Sequence, residues 1–103
     1  MQQILERLVA ANIQLLPLTK IEKHWVFERD GFIALVERTR DNGFGRIGSA
    51  GLLTERGMAA LILRGECHYF IAKEVEIEAT AEQVVALRSF ATDLEAALSP
   101  QNL

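Results

Sequence analysis

The chain has 103 residues, of which 50% are apolar, and a formal net charge of −3 at pH 7. A chain of this length can bury about two-thirds of its unfolded surface, so we predict one domain with one core, spanning residues 1–103. A single cysteine, Cys67, excludes an internal disulfide and fits a reducing compartment, which favours a cytoplasmic protein.

Charge and hydropathy argue against two classes of partner. The longest apolar run, Met58–Leu63, falls far short of the ~20 residues that a membrane-spanning helix needs. The start of the chain carries Glu6 and Arg7 where a secretory signal would need an unbroken apolar segment. Most arginines lie between residues 29 and 64, but acidic residues alternate with them, so no basic patch forms. We therefore expect neither a membrane nor nucleic acid as partner.

The first predicted element is an amphipathic helix that begins at Gln2. Its apolar side chains recur at three- and four-residue steps, namely Ile4, Leu5, Leu8, Ala11 and Leu15. Pro17 disfavours helical geometry at Leu16, so we expect the helix to end at about residue 14 or 15. A connector through Thr19–Lys23 would follow.

From His24 to Lys73 the sequence predicts a β-meander. Short apolar runs are separated by four turn dipeptides, Asp30-Gly31, Asn42-Gly43, Arg56-Gly57 and Arg64-Gly65. The first two suit two-residue type I′ hairpins. Four turns predict five antiparallel strands. The segment Val75–Glu78, in which apolar and acidic residues alternate, would extend the last strand with one solvent-exposed face.

The first hairpin can be aligned residue by residue, because a two-residue turn fixes the register. It sets Phe27 opposite Ala34 on one face and Val26 opposite Leu35 on the other. The hairpin within residues 58–73 also carries apolar side chains on both faces. We therefore expect both faces of the sheet to be buried.

The third strand contains a glycine at its centre. A two-residue turn at Asn42-Gly43 would place Gly51 opposite Ala34, on the face that carries Trp25 and Phe27. A glycine inside a strand marks a bend, a bulge or a close approach. We expect the two aromatic rings to lean over the gap, and a small-ligand cleft is the alternative.

The last predicted element is a helix from Ala81 to about Leu98. Thr80 and Gln83 have the spacing of a capping box, and Ser99-Pro100 should end the helix before a frayed tail. The apolar stripe consists of Val84, Leu87, Ala91, Leu94 and Leu98, with Phe90 and Ala97 beside it. We expect this stripe to pack on the sheet, and a helix-pairing seam is the alternative.

The segment Asn42-Gly43-Phe44-Gly45-Arg46-Ile47-Gly48 resembles the fingerprint that opens the nucleotide-binding domain of glyceraldehyde-3-phosphate dehydrogenases. The resemblance implies that Gly43, Gly45 and Gly48 would lie against a dinucleotide pyrophosphate. The fingerprint follows an apolar strand and opens a helix. Here the preceding segment Arg38–Asn42 is polar, and the residues after Gly48 favour strands. We therefore predict a hairpin, with nucleotide binding as the alternative.

Metal ligation would require distant residues to converge. His24, Cys67 and His68 are the only histidines and cysteine, and Glu37 lies opposite His24 in the predicted hairpin. Cys67 and His68 would point to opposite faces of one strand, so they cannot easily bind the same ion. We predict no metal ligand, no cofactor and no catalytic residue.

The sequence thus predicts an α+β domain with an N-terminal helix, a five-stranded antiparallel β-meander and a C-terminal helix packed on the sheet. Two helices on one side would leave the other apolar face open, unless the helices take opposite faces or the sheet closes into a barrel. We expect a small non-enzymatic domain that acts through protein association, as a homodimer or with a partner protein. The alternatives are a small-molecule or nucleotide-binding domain and a metal-dependent enzyme.

Overall fold

The computed structural model describes residues 2–16, 23–55 and 57–98. Within them, one antiparallel sheet has seven strands that lie side by side in chain order. One helix precedes the strands in the chain and another follows them. The elements are α1 (Gln2–Ala10), β1 (Gln14–Leu16), β2 (His24–Arg29), β3 (Phe32–Arg38), β4 (Phe44–Thr54), β5 (Gly57–Arg64), β6 (Cys67–Ala72), β7 (Val75–Glu78) and α2 (Ala81–Leu98). The predicted α+β class, with a helix at each end of a meander, is confirmed. The predicted number of five strands is wrong.

Helix α1 ends earlier than predicted because Asn12 adopts the left-handed conformation, with a φ of 59°. The amide of Ile13 then donates to the carbonyl of Leu8 at 2.9 Å, and the amide of Asn12 also donates back into the helix. These bonds form a Schellman motif, which terminates a helix. The helix therefore stops at Ala10 and not at residue 14 or 15, which leaves Gln14–Leu16 to pair with β2.

The first hairpin has the predicted turn and register. Asp30 and Gly31 both have positive φ, 54° and 88°, as a type I′ turn requires. The observed pairs include Phe27 with Ala34, Val26 with Leu35, and His24 with Glu37.

The second hairpin differs from the prediction. The predicted two-residue turn at Asn42-Gly43 is wrong, because β3 and β4 are joined by the loop Thr39–Gly43. The Thr39 amide donates to the Gly43 carbonyl at 3.1 Å, and the Gly43 amide donates to Thr39 Oγ1 at 2.8 Å. Two register shifts interrupt the β3–β4 ladder. Gly51 consequently lies opposite Ile33 rather than Ala34, and it faces the other side of the sheet from the one predicted.

Later turns supply one of the two unpredicted strands. Thr54 pairs with Gly57, so Gly57 belongs to β5 and not to the predicted turn at Arg56-Gly57, whose other residue, Arg56, lies outside the described residues. Glu74 has a φ of 63° in a two-residue turn between Ala72 and its partner in β7. Because of this turn, β7 folds back beside β6 instead of extending it.

Helix α2 begins with the predicted capping box. The Gln83 amide donates to Thr80 Oγ1 at 3.1 Å, and the Thr80 amide donates to Gln83 Oε1 at 2.8 Å. The buried residues of the helix are Val84, Leu87, Phe90, Leu94 and Ala97. The predicted helix end at Ser99-Pro100, the tail and most of the predicted connector, residues 19–22, lie outside the described residues.

Both described helices lie on the same side of the sheet. Leu8 and Ile13, at the end of α1, belong to the same buried cluster as Phe90 of α2 and Phe27 and Phe70 of the sheet. Helix α2 packs on β3 and β4 and against α1. The smallest extent of the molecule is 19 Å. This thickness fits one sheet and one helix layer, each about 10 Å deep.

Candidate functional site

The side of the sheet opposite the helices carries a continuous apolar surface. Directly paired residues project to the same side, so the ladder places Ile33, Gly51, Ala60 and Ile71 in one row across four strands. Neighbouring rows add Leu53 with Met58, and Ile62 with Tyr69. We call the six residues of this surface on β4, β5 and β6 the open face: Leu53, Met58, Ala60, Ile62, Tyr69 and Ile71.

Exposure on this side of the sheet is concentrated on the open face. Val26 and Ile33, on β2 and β3, are buried, although neither belongs to the main core cluster. By contrast, Leu53 is 44% exposed and Ile62 is 42% exposed, and the other four members of the open face are half-buried. The described helices pack on the other side. The open face is therefore an apolar surface in contact with solvent.

Small residues form the centre of the open face. Gly51 and Ala60 are directly paired, and the larger side chains of Leu53 and Ile62 lie one pleat away on either side. A β-carbon at Gly51 would overlap the carbonyl oxygen of Ala59, so the close approach of β4 and β5 requires glycine there. The added β-carbon would also lie 3.0 Å from Met58 Cγ, and Gly51 is buried, so the Met58 side chain covers this part of the surface.

One ion pair borders the open face. Arg64 and Glu76 form a salt bridge, and both side chains are more than half exposed. The guanidinium carbon of Arg64 lies 5.6 Å from the centre of the Tyr69 ring, within cation–π range. An exposed pair of this kind contributes at most about 1 kcal/mol to folding. Glu78, which pairs with Tyr69 across β6 and β7, is a further carboxylate at this border.

The glycines of the fingerprint-like segment have structural positions in the second hairpin. Gly43 ends the loop, and its carbonyl accepts a hydrogen bond from Trp25 Nε1 at 3.0 Å. Gly45 and Gly48 lie within β4, where an added β-carbon would come within 3.2 Å of backbone oxygens of β3. The strand continues to Thr54, so no helix opens after Gly48. The arrangement lacks the strand–turn–helix geometry through which the fingerprint binds a pyrophosphate.

The histidines and the cysteine do not converge. His24 pairs with Glu37 across β2 and β3, whereas Cys67 and His68 begin β6. Within the described parts of the chain, no group of three or more His, Cys, Asp or Glu side chains is arranged to hold a metal ion. Cys67 and His68 instead border a pocket of about 360 Å³ beside the start of α2, which is also lined by Glu66, Glu78, Val84 and Val85.

Sequence reasoning missed an aromatic cluster on the helix side of the sheet. The guanidinium carbon of Arg38 lies 4.0 Å from the centre of the Trp25 ring, and the Phe44 ring lies 5.6 Å from Trp25. Arg38 and Phe44 are paired across β3 and β4. This pairing depends on the five-residue loop between them, so the predicted two-residue turn could not have revealed the cluster.

The loop also carries the one described carboxyl group whose pKa is clearly shifted. Thr39 Oγ1 donates a hydrogen bond to Asp41 Oδ1 and lowers the pKa of Asp41 below its ordinary value of 3.8, with a smaller contribution from backbone hydrogen bonds. Asp41 is exposed, and the interaction organises the loop rather than a cleft.

Comparison with known proteins does not assign the chain to a family. No protein-family model, no curated protein sequence and no solved structure matches it. Neither described helix is long and apolar enough to cross a membrane.

Proposed function

We propose that this protein is a small non-enzymatic domain that acts through protein association, and that the open face is its contact surface. The observation that carries the proposal is the one-sided helix layer, which leaves Leu53 and Ile62 exposed on an apolar sheet face. Burying such a face against another protein removes apolar area from water, which stabilises a complex by about 25 cal/mol per Å² before the costs of association.

The polar side chains support association better than chemistry. Glu76 is engaged by Arg64, and the exposed thiol of Cys67 lies away from His24 and Glu37 across the sheet. His68, Glu66 and Glu78 line one pocket with Cys67, but no hydrogen bond joins these four described side chains. General acid–base or nucleophilic catalysis requires such groups within hydrogen-bond reach of one another. An exposed thiol also fits a reducing compartment, which favours the cytoplasm as the proposed location.

Small-molecule binding is the second candidate, because one of the described pockets brings a thiol and an imidazole together with apolar side chains. The pocket beside the start of α2 combines the apolar side chains of Val84 and Val85 with the polar groups of Cys67 and His68. Its volume of about 360 Å³ falls within the range of ligand sites. Nucleotide binding at Gly43, Gly45 and Gly48 and a metal-dependent activity are weaker alternatives, because the geometry at those residues does not favour them.

A thermal-shift screen separates association from ligand binding. The protein would be heated with nucleotides including NAD, with divalent metal ions and with small metabolites. A ligand at 100 times its dissociation constant stabilises the folded state by about 2.7 kcal/mol, which raises the melting temperature measurably. We expect no reproducible shift. A shift with NAD would favour the glycine segment, and a metabolite shift abolished by Val84→Phe would favour the pocket.

A further inference from the structure

The loop Thr39–Gly43 contains a chemically labile pair of residues. Asparagine is prone to spontaneous loss of its side-chain amide, and Asn42 is exposed. Gly43 follows it and has no side chain to hinder the reaction. We propose that Asn42-Gly43 is a site of spontaneous deamidation, and that Thr39 slows the reaction in the folded protein. The reaction involves only this loop and is independent of the association proposed for the open face.

The reaction needs no reactant other than water. The backbone nitrogen of Gly43 loses its proton and attacks the side-chain carbonyl carbon of Asn42. A new C–N bond closes a succinimide ring, the bond to the side-chain nitrogen breaks, and that nitrogen takes up a proton and leaves as ammonia. Water then opens the ring at either carbonyl carbon, which gives aspartate or isoaspartate. Each event therefore replaces a neutral amide by a carboxylate and changes the charge of the loop.

The folded loop holds the proton that the attacking nitrogen must lose. The Gly43 amide donates to Thr39 Oγ1 at 2.8 Å, and the same hydroxyl donates to the carboxylate of Asp41. Breaking the first of these hydrogen bonds adds to the cost of the reaction. A β-carbon at Gly43 would lie 3.4 Å from Asp41 Oδ1, so a negative charge lies beside this amide. That charge disfavours the amide anion through which the reaction proceeds.

The carbonyl of Gly43 is held as firmly as its amide. It accepts from the Thr39 amide at 3.1 Å and from Trp25 Nε1 at 3.0 Å. The backbone on both sides of the Gly43 α-carbon is therefore fixed, and its nitrogen becomes free to react only when the loop opens locally. Local opening of this kind costs less than global unfolding, so the folded protein should react slowly rather than not at all.

Asn12 provides an internal comparison. It is exposed and has a φ of 59°, close to the 61° of Asn42. The residue that follows it is Ile13, whose β-branched side chain hinders attack by its own backbone nitrogen. The Ile13 side chain is buried in the core, and its amide donates to the carbonyl of Leu8 at 2.9 Å. We therefore expect Asn12 to remain unmodified while Asn42 reacts.

The single tryptophan of the chain, Trp25, should report the modification. An isoaspartate adds a methylene group to the loop backbone, which displaces the Gly43 carbonyl from Trp25 Nε1. The guanidinium carbon of Arg38 lies 4.0 Å from the centre of the Trp25 ring, and a second carboxylate beside Asp41 would attract this cation. Both changes alter the surroundings of the indole ring, so its fluorescence should change as the modified fraction grows.

Incubation of the full chain at mildly alkaline pH, followed by peptide mapping with mass spectrometry, tests the proposal. Thr39→Val keeps the shape of the side chain but removes its hydroxyl, and it should deamidate at Asn42 about three- to tenfold faster than the wild type, the factor expected for one net hydrogen bond. Thr39→Ser, which keeps the hydroxyl, is the control and should react at the wild-type rate. In urea all three proteins should react equally fast, and faster than the folded wild type.

Circular dichroism would establish that each variant is folded without urea. Equal rates for folded wild type and Thr39→Val would overturn the role of Thr39, and so would a wild type that reacts as fast when folded as in urea. An Asn42 that stays intact in urea would overturn the site itself. Amide hydrogen exchange of wild-type Gly43 is a second measurement, because exchange also requires loss of the amide proton. Exchange at the rate of an unstructured peptide would contradict the protection even if Thr39→Val did not fold.

Discussion

Arg29 of β2 donates a hydrogen bond from Nη1 to Asp93 Oδ2 of α2 at 2.8 Å. The same nitrogen donates to the carbonyl of Ala11, just after α1, at 3.0 Å. One side chain therefore joins the sheet to both helices on the same side. This connection helps to keep the helix layer one-sided and the open face uncovered.

Replacing Arg29 tests this connection. The Arg29 side chain is 15% exposed and the Asp93 side chain is 46% exposed, so replacing Arg29 should destabilise the fold more than replacing Asp93. Arg29→Met keeps the apolar stem but removes both hydrogen bonds, and we expect it to lower the free energy of unfolding by about 1.5–3 kcal/mol in urea titrations. Asp93→Asn should cost less than about 1 kcal/mol. If Arg29→Met is as stable as the wild type, the connection is not a determinant of the fold.

Helix α2 offers a ranked pair of predictions. Thr80→Ala removes the capping hydrogen bond and should cost about 1 kcal/mol, whereas Thr80→Ser should be nearly neutral. Leu87→Ala or Leu94→Ala leaves a cavity in the core and should cost about 2–5 kcal/mol. Denaturant titrations measure all four. Equal and negligible losses would mean that the helix does not pack on the core of its own chain.

The close approach at Gly51 predicts a difference between two glycines of the same strand. A β-carbon at Gly51 meets backbone atoms of Ala59 that cannot move aside, so Gly51→Ala should cost about 1–3 kcal/mol or more. At Gly48 the nearest atom, the Leu35 carbonyl oxygen, is 3.2 Å away, and Gly48→Ala should cost less than about 1 kcal/mol. Thermal melting of the two variants measures the difference, and identical melting temperatures would contradict the β4–β5 geometry.

Asp41 predicts a small pH effect in acid. The hydrogen bond from Thr39 lowers the pKa of Asp41 in the folded state below its ordinary value of 3.8. The ionised carboxylate therefore stabilises the fold above about pH 3.8, and this contribution disappears as the pH falls through the lower folded-state pKa. An NMR titration of the Asp41 carboxyl carbon should give a pKa below 3.8 that rises in Thr39→Val. An unchanged pKa in the variant would refute the role of Thr39.

The sequence predicted the first hairpin because a type I′ turn at Asp30-Gly31 fixes the register without help from tertiary contacts. The second hairpin has no such constraint. Asn42 adopts positive φ as expected, but it lies within the loop Thr39–Gly43. The closure of that loop depends on the hydrogen bond from the Gly43 amide to Thr39 Oγ1. The longer loop and the two register shifts in the β3–β4 ladder together displace the pairing of Gly51 by one residue, which moves Gly51 to the other face of the sheet.

Positive φ at non-glycine residues explains the remaining differences. Asn12 ends α1 and Glu74 turns the chain into β7. Asparagine tolerates this conformation and could have been recognised as a helix end, whereas glutamate gives no such signal. The two unpredicted strands, β1 and β7, follow directly from these two positions.

The open face was predictable in part. Ile62, Tyr69 and Ile71 alternate with side chains of the opposite face, so apolar character on both faces could be counted from the sequence. The side of the sheet on which the helices pack could not be predicted, because it depends on long-range contacts such as those of Arg29 with Ala11 and Asp93. The exposed part of the face also depends on the true register of β4.

An isotope-filtered NOE experiment tests the central claim most directly. A mixed sample of ¹³C-labelled and unlabelled protein, at concentrations up to the highest that stays in solution, reports only contacts between different copies. We predict intermolecular NOEs that involve the methyl groups of Leu53, Ile62 and Ile71. Intermolecular NOEs confined to Leu5 and Val9, the exposed apolar residues of α1, would contradict the account, as would their absence at every concentration.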